Sequence, residues 1–187
     1  MSTPQDSLQP EVLARIRTGD REAFELLFRA WYPRLADYAA RLLASRDAAE
    51  DAVQEVFVAV WGRRERLPEG TKLPAYLHRA VKNRALNQIR THKTANRWLE
   101  QEDHQVAVIP VGVTEMENEE LNRALKGALD NLSPRGREVF LLSRHQGLTY
   151  PQIADTLGIS VKTVETLMSR ALKSLREQLL PRLLEDG

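Results

Sequence analysis

The sequence predicts an all-α protein made of two helical domains joined by an acidic linker. Apolar residues recur at helical spacing through most of the chain, and the runs begin at residues that favour helix starts. That spacing fades between residues 91 and 114, where Pro110 and Gly112 break the apolar segment VAVIPVGV, so a linker is favoured over a short strand. Residues 98–122 contain seven acidic side chains and no Lys or Arg, which also favours a linker.

Cap and breaker residues divide the first half of the chain into four predicted helices. Asp20 is predicted as the N-cap of the first helix, and Pro33 is expected to interrupt it and to start the second. Asp47 and Glu50 form a capping-box pattern that opens the third helix. The breaker cluster LPEG predicts a loop, and Pro74 then suits the first turn of the fourth helix. The expected inward-facing residues are Phe24, Leu27, Phe28, Trp31, Leu35, Tyr38, Leu42, Ala49, Val53, Val56, Phe57, Val60, Leu77, Val81, Ala85 and Ile89.

Helical spacing returns after the linker. Thr114 and Glu117 form another capping-box pattern ahead of apolar residues that recur at helical spacing. Ser133 and the proline after it are expected to open the next helix, and Gly147 is expected to close it. The second domain is therefore predicted to be helical as well.

A helix-turn-helix pattern occupies the end of this second domain. Ala154 lets two helices approach, Gly158 takes the turn conformation, and Val164 packs the second helix on the first. Thr149 and Ser160 are the predicted caps of the two helices. A capped helical hairpin without a role in DNA binding is the alternative. The candidate major-groove contacts are Ser160, Lys162, Thr163, Thr166, Ser169, Arg170 and Lys173.

The net charge of +1 conceals two blocks of opposite sign. Residues 63–97 contain ten Lys or Arg and two Glu, a local charge of +8, whereas residues 98–122 have a local charge of −7. Blocks of one sign are typical of polyanion-binding sites and interaction segments, although solvated helix faces are the alternative.

Several classes of site and protein are disfavoured by what the sequence lacks. There is no cysteine, which excludes disulfides and thiolate zinc sites, and the four histidines do not follow metal-ligand spacing. There is no Gly-rich phosphate loop and no G-x-S-x-G motif. We therefore expect no metal, no cofactor and no enzymatic activity. No apolar stretch approaches the ~20 residues of a membrane span, so a cytoplasmic protein without membrane insertion is expected.

Two blocks of sequence resemble known domains. The segment LSPRGREVFLLSRHQGLTYPQIADTLGISVKTVETLMSRALKSL, residues 132–175, resembles the −35-element-binding domain of sigma factors and also the output domain of LuxR-type response regulators. The segments GDREAFELLFRAWYPRLADYAARLL, DAAEDAVQEVFVAVW and LPAYLHRAVKNRALNQIR resemble the promoter-melting domain of the extracytoplasmic-function group of sigma-70 factors. The two blocks occur in the family's order and cover roughly residues 19–93 and 120–178, which favours a sigma factor.

The resemblance implies a division of the chain into functional segments. Residues 1–18 are an N-terminal extension, and residues 19–93 form a sigma-2-like helical bundle for polymerase binding and for recognition and melting of the −10 element. Residues 94–119 are the acidic linker, and residues 120–180 form a sigma-4-like helix-turn-helix domain for the −35 element. Residues 181–187 are a C-terminal tail.

The resemblance also implies roles for individual residues of the first domain. An acidic and amide face with one apolar anchor suits the basic clamp helices of the polymerase, and its members are Asp51, Gln54, Glu55 and Val58. The implied −10 DNA contacts are Leu67, Tyr76, His78, Arg79, Lys82, Asn83, Arg84, Asn87 and Arg90. Two features depart from the family pattern: LPEG replaces an aromatic followed by Arg-Gly, and Tyr76 stands where tryptophan is common. Glu69 is unusual beside phosphates.

The implied partners are bacterial core RNA polymerase, promoter DNA and an anti-sigma factor. On the polymerase, the contacts would be the clamp helices of the largest subunit and the flap of the second largest. The promoter would be duplex at −35 and single-stranded at −10. The acidic linker would follow the RNA path and mimic RNA phosphates, whereas a spacer with no specific path is the alternative.

Two other functions fit part of the sequence. A LuxR-type regulator would bind duplex DNA without joining polymerase, but residues 19–93 offer neither alternating strands nor a phosphoacceptor aspartate at a strand end. An adaptor that binds polymerase but not DNA is disfavoured by the outward cations Lys162, Arg170 and Lys173.

Overall fold

The computed structural model of the chain describes residues 9–96 and 119–185, with side chains for 11–91 and 123–180. Every regular element in the described ranges is a helix, which confirms the all-α prediction. The chain divides into two compact units, residues 1–109 and 110–187. The cap predicted at Thr114 and Glu117 and the VAVIPVGV segment lie outside the described residues. The α-helices of the described ranges are α1 Gln9–Arg17, α2 Arg21–Leu43, α3 Arg46–Gly62, α4 Leu73–Asn96, α5 Glu119–Asp130, α6 Pro134–Arg144, α7 Tyr150–Leu157 and α8 Val161–Glu185.

In the first unit, α2 packs against both α3 and α4, and a short 3-10 helix, Arg64–Arg66, follows α3. The predicted inward face of α3 is buried, for example at Val53 and Val60, and so are Leu77, Val81 and Ala85 of α4. Ile89, also predicted to face inward, is only half-buried. The polar sides of α3 and α4 are therefore left to face outward.

The prediction that Pro33 separates two helices is wrong. Pro33 lies inside α2, a continuous helix of 23 residues, and Asp20 caps its start with a side-chain bond from the Ala23 amide. An internal proline removes one backbone hydrogen bond and costs about 3 kcal/mol. Residues buried on both sides of it, Trp31 before and Leu35 after, pack into the same core and offset that cost.

The third helix begins slightly earlier than its capping pattern predicts. Ser45 is the N-cap of α3, and its hydroxyl oxygen accepts a hydrogen bond from the Ala48 amide at 3.3 Å. Asp47 lies in the first turn, where a carboxylate interacts favourably with the helix dipole.

The first unit also includes a helix that the predicted domain boundary at residue 19 leaves out. Helix α1 packs on α2 and on the 3-10 helix. Leu13 and Ile16 are only 3% and 0% exposed, so α1 contributes to the core. Residues 9–18 are therefore part of the first domain's packing.

The second unit contains α5 to α8. Ser133 caps α6 as predicted, since its hydroxyl oxygen accepts from the Gly136 amide at 3.2 Å. Helix α6 ends at Arg144, and Gly147 lies in the turn that follows it with a φ of 72°. Val139, Leu142, Ile153 and other apolar residues from all the helices of this unit form its core.

Candidate nucleic-acid interface

Helices α7 and α8 form the predicted helix-turn-helix. Gln152 Oε1 accepts a hydrogen bond from the Thr149 amide at 2.8 Å, which fixes the start of α7. Gly158 has a φ of 64° and donates its amide to Ala154 O, which ends α7 in the left-handed conformation that glycine tolerates best. Ser160 then caps α8, accepting from the Thr163 amide at 3.1 Å.

One side of α8 is buried and the other carries the predicted DNA-binding residues. Val164 and Met168 are 0% and 2% exposed. The two hydroxyls of Ser160 and Thr163 are 2.8 Å apart, and Thr166 donates to Lys162 O. All seven candidate residues are exposed: Ser160, Lys162, Thr163, Thr166, Ser169, Arg170 and Lys173. The structure therefore brings these cations and hydroxyls together on the outer face of a rigid helix.

The polymerase-contact candidates form one exposed face of α3. Asp51, Gln54, Glu55 and Val58 line a shallow, open depression. Val58 is 73% exposed, although it is apolar, while Val56 and Phe57 on the opposite side are buried. The face therefore combines two carboxylates, an amide and one exposed apolar side chain.

A polar stripe runs along α4, as predicted. Tyr76 and Lys82 are half-buried. The exposed members of the stripe are Arg79, Asn83, Arg84, Asn87 and Arg90. Three guanidinium groups and two side-chain amides on one helix offer phosphate contacts and hydrogen bonds to bases.

An ion pair connects this stripe to the exposed face of α3. Arg84 Nη2 contacts Glu55 Oε2, and both side chains are about half exposed, at 44% and 49%. Sequence analysis predicted separate partners for these two residues, polymerase for Glu55 and DNA for Arg84, but the structure places them against each other. Each charge is partly neutralised by the other in the free protein.

Two of the predicted DNA contacts are core residues. His78 is 0% exposed, with its Nδ1 2.9 Å from Pro74 O and its ring packed against Trp31 and Tyr38. Leu67 is 4% exposed. The helical spacing that places His78 on α4 does not reveal that α2 covers it, so in this conformation neither residue reaches a DNA surface.

One contact between α1 and the loop before α4 was missed from the sequence. Arg17 Nη1 of α1 lies 2.9 Å from Glu69 Oε1, in the loop that precedes α4. The apolar residues Val12, Leu13 and Ile16 have helical spacing and could have revealed α1. No local pattern could have revealed a pair 52 residues apart in sequence.

The described residues include neither a cluster of metal-ligating side chains nor a helix able to span a membrane. In the part of the chain that the structure describes, no three His, Asp or Glu side chains are grouped as metal ligands. Helices in that part are either too short or too polar to cross a membrane. The absence of a bound metal or cofactor stays a prediction.

Comparison with known families matches both halves of the chain. Residues 27–95 match the family model described as Sigma-70 region 2, and residues 122–175 match Sigma-70, region 4. The two matches occur in the predicted order and overlap most of the two predicted domains.

Individual relatives agree with the family models. The chain is 30% identical over 167 residues to RNA polymerase sigma factor CarQ of Myxococcus xanthus, covering 89% of this chain and 95% of CarQ. It is also 30% identical to the ECF RNA polymerase sigma factor SigE of Mycolicibacterium smegmatis, covering 87% of this chain and 65% of SigE. A solved structure of the sigma factor RpoE with the anti-sigma factor NepR from Bartonella quintana is similar, with a TM-score of 0.63 and 26% identity over 83% of this chain and 96% of that one.

Proposed function

Since the chain belongs to the extracytoplasmic-function group of the sigma-70 family and is an RNA polymerase sigma factor, we propose which of its surfaces perform each step of initiation. The observation that supports the proposal is the presence of two separate outward faces, on α3–α4 and on α8, in a single chain. A LuxR-type regulator has no need of the first face, and no observation favours that function.

The exposed face of α3 is the proposed docking surface for core polymerase. Asp51 and Glu55 supply negative charge, Gln54 a hydrogen-bonding amide, and Val58 an apolar contact. Such a face complements a basic helical partner such as the clamp helices, because opposite charges set orientation and association rate. The flap of the second largest subunit is the proposed second contact.

The polar stripe of α4 is the proposed surface for the −10 element. Arg79, Arg84 and Arg90 would contact phosphates, which strengthens binding to any sequence. Asn83 and Asn87 would form hydrogen bonds with the edges of unpaired bases. Removing a base from the stack costs a few kcal/mol, which these contacts would have to offset.

The outer face of α8 is the proposed reader of the duplex −35 element. Its residues near the helix start, including Lys162 and Thr166, would reach base edges in the major groove, as in other helix-turn-helix domains. Arg170 and Lys173, farther along α8, would contact phosphates or purines.

An anti-sigma factor is the proposed regulator. The similar RpoE structure contains the anti-sigma factor NepR, which supports a partner of that kind for this chain. Both proposed DNA and polymerase faces would be covered in such a complex. We further propose that the chain has no catalytic activity of its own and that its acidic linker, which lies largely outside the described residues, follows the RNA path.

Reconstituted transcription tests the proposal. Purified bacterial core polymerase is incubated with a pool of genomic promoter fragments, with and without this protein, and start sites are mapped. We expect initiation at a distinct set of sites that requires the added protein. Duplex binding without any binding to core or any initiation would instead support the LuxR-type alternative.

A charge reversal on α3 tests the docking surface. Glu55→Lys should weaken binding to core while the helical circular dichroism is retained, because a basic partner would then meet a like charge. Glu25→Lys is the matched control, since Glu25 is also an exposed helical glutamate paired with an arginine, Arg29. Equal core affinity for the two variants would contradict the assignment of α3.

A further inference from the structure

The loop between the 3-10 helix and α4 is short and is anchored at both ends. Leu67 and Leu73 are 4% and 1% exposed. Between them, the amide and the hydroxyl of Thr71 both donate to Pro68 O, at 3.2 Å and 2.7 Å. Gly70 has a φ of 76°, as the third residue of a type II turn requires. The loop is therefore a defined turn that presents Glu69 at its tip.

The carboxylate of Glu69 is oriented by α1. Arg17 Nη1 lies 2.9 Å from Glu69 Oε1, while the Glu69 side chain remains 86% exposed. An exposed pair of this kind contributes little to folding stability. It does, however, favour one direction for the carboxylate while the side chain stays open to solvent.

The end of α1 that carries Arg17 is itself held in place. The side chain of Arg15 donates to Asp20 at 2.7 Å, which closes the turn between α1 and α2. A Cβ on Gly19 would lie 3.6 Å from Arg64 Nε, so this turn packs beside the 3-10 helix. The Arg64 guanidinium lies over the Trp61 ring, 4.7 Å from its centroid. The turn after α1 and the segment that leads into the loop thus support each other.

We propose that Glu69, oriented by Arg17, reads an exocyclic amino group of one unpaired base in the opened −10 element. The inference rests on the proposed −10 role of this part of the first domain. An ionised carboxylate only accepts hydrogen bonds. Adenine and cytosine carry an amino donor at the edge where thymine and guanine carry a carbonyl acceptor. A carboxylate at that edge accepts a hydrogen bond from adenine or cytosine and is repelled by the carbonyl oxygen of thymine, so Glu69 selects against thymine at the position it contacts. Arg17 is its positioning residue.

The charge around Glu69 supports a role in selection. Residues 63–97 have a local charge of +8, of which Glu65 and Glu69 are the only negative members. A carboxylate repels phosphates, so Glu69 lowers affinity for DNA in general and contributes only when an amino donor is present. Loss of the Glu69 charge should therefore leave the affinity for DNA unchanged or raise it, and should reduce the discrimination between bases.

The experiment measures binding of the reconstituted holoenzyme to single-stranded non-template oligonucleotides. Each −10 position carries each of the four bases in turn. At one position we expect the wild type to favour adenine and cytosine over thymine by about tenfold, the scale of a hydrogen bond to a charged group. Glu69→Gln should reduce this ratio towards one, because an amide also donates to the carbonyl groups of thymine.

The Arg17 variants test the positioning role separately. Arg17→Ala should reduce the ratio by about two- to fivefold, the range expected for an exposed ion pair, and Arg17→Lys should restore part of it. Arg29→Ala is the matched control, since Arg29 is an exposed arginine paired with Glu25 on α2. The control should leave the ratio unchanged.

The outcomes separate the inference from the function on which it rests. If the wild-type holoenzyme binds and initiates but Glu69→Gln keeps the full ratio at every position, the reading role of Glu69 is overturned. If Glu69→Gln loses the ratio while Arg17→Ala keeps it, the positioning role of Arg17 is overturned. Failure of the wild-type holoenzyme to bind the oligonucleotides would overturn the −10 assignment and the inference together.

Discussion

The two domains present their candidate DNA-binding residues in different ways. In the second domain, every candidate residue is on one helix, α8, and most of the hydrogen bonds among them are local, such as Thr166 to Lys162 O. In the first domain, the candidate residues depend on contacts between elements. Arg84 of α4 pairs with Glu55 of α3, and Glu69 of the loop pairs with Arg17 of α1.

The difference follows from the two kinds of DNA that the proposed sites would contact. A duplex groove has a regular shape, so a single rigid helix that is packed on one side suffices to read it. An unpaired base has to be held outside the stack by groups from several directions. A site assembled from the polar stripe of α4 and the loop before it, with α1 supporting that loop, suits that task, and changes in packing should disturb it more than the helix-turn-helix.

The largest effects on the free energy of unfolding should come from truncating one buried side chain in the core of either domain. Ile16 and Ile153 are both 0% exposed, one in α1 and one in α7. Isoleucine to alanine at either site should cost about 2–5 kcal/mol, the usual range for a buried aliphatic side chain. Trp31 and Trp61 lie in α2 and α3 of the first domain, and residues 120–180 contain no tryptophan, so a change in tryptophan fluorescence during urea unfolding reports the first domain.

The two isoleucine variants serve as controls for each other. Ile16→Ala should move the fluorescence transition to a lower urea concentration. Ile153→Ala should leave that transition in place and should lower only the urea concentration at which the helices of the second domain unfold, as measured by circular dichroism. A tryptophan transition that moves equally in both variants would contradict independent domains.

An intermediate effect is expected from the outer face of α8. Arg170→Ala removes an exposed guanidinium without emptying the core, so duplex affinity should fall while stability stays constant. If Arg170 reads a base, the loss should be about 1–3 kcal/mol and should relax preference at one position. Affinity is measured for a −35 duplex and for its single-base variants. Loss of a base contact changes the preference at one position, whereas loss of a phosphate contact lowers the affinity for all sequences alike.

The result for Arg170 is checked with a second arginine. Arg135 is exposed at the start of α6 and pairs with Glu138 at 2.9 Å. Arg135→Ala changes the net charge equally and should have a smaller effect. Equal losses for Arg135→Ala and Arg170→Ala would indicate a general charge effect instead of recognition by α8.

The helix-turn-helix was predictable from sequence because its determinants are local. Ala154, Gly158 and Val164 lie within eleven consecutive residues, and each plays the part that its residue type indicates. The caps at Ser133 and Ser160 are equally local, and both were predicted.

The first domain was harder to predict because contacts between distant residues determine its details. Pro33 was expected to end a helix, but the core on both sides of it continues the helix. His78 was expected at the DNA surface, but side chains of α2 cover it. Local periodicity places a residue on a helix face and does not say which neighbouring helix packs there.

A smaller effect is expected from the pair that joins α3 and α4. Arg84 neutralises part of the charge of Glu55, which is on the proposed docking face. Arg84→Ala should therefore raise core affinity slightly, by about 0.2–1 kcal/mol, the range for exposed ion pairs, and should weaken binding to −10 single strands. Core affinity and DNA affinity are measured separately by titration.

A double-mutant cycle separates the effect of the Glu55–Arg84 interaction from the other effects of each substitution. Glu55→Ala, Arg84→Ala and the double variant are compared for core binding at low and high salt. The gain from Arg84→Ala should vanish when Glu55 is absent and should shrink at high salt, because screening weakens exposed pairs. A gain that persists without Glu55 would show that Arg84 acts on polymerase by another route.

The smallest effect should come from the charged helix cap of the first domain. The Asp20 carboxylate accepts from the Ala23 amide at 3.1 Å and from the Arg15 side chain at 2.7 Å, and these bonds lower the pKa of Asp20 below its ordinary value of 3.8. Its charge therefore stabilises the fold above that value, and the contribution is lost as the pH falls through the lower folded-state pKa.

The variant Asp20→Asn keeps the cap but removes this charge, because asparagine is an equally good N-cap. In urea unfolding followed by tryptophan fluorescence, Asp20→Asn should be slightly less stable than the wild type at pH 7 and equal to it at a pH below the folded-state pKa.

The second domain provides the contrast, since the cap of α6 is the neutral hydroxyl of Ser133. Ser133→Ala should lower the stability of that domain at both pH values, as measured by circular dichroism. A deficit of Asp20→Asn that is the same at both pH values would mean that the charge of the first domain's cap contributes nothing, and the two caps would then be equivalent.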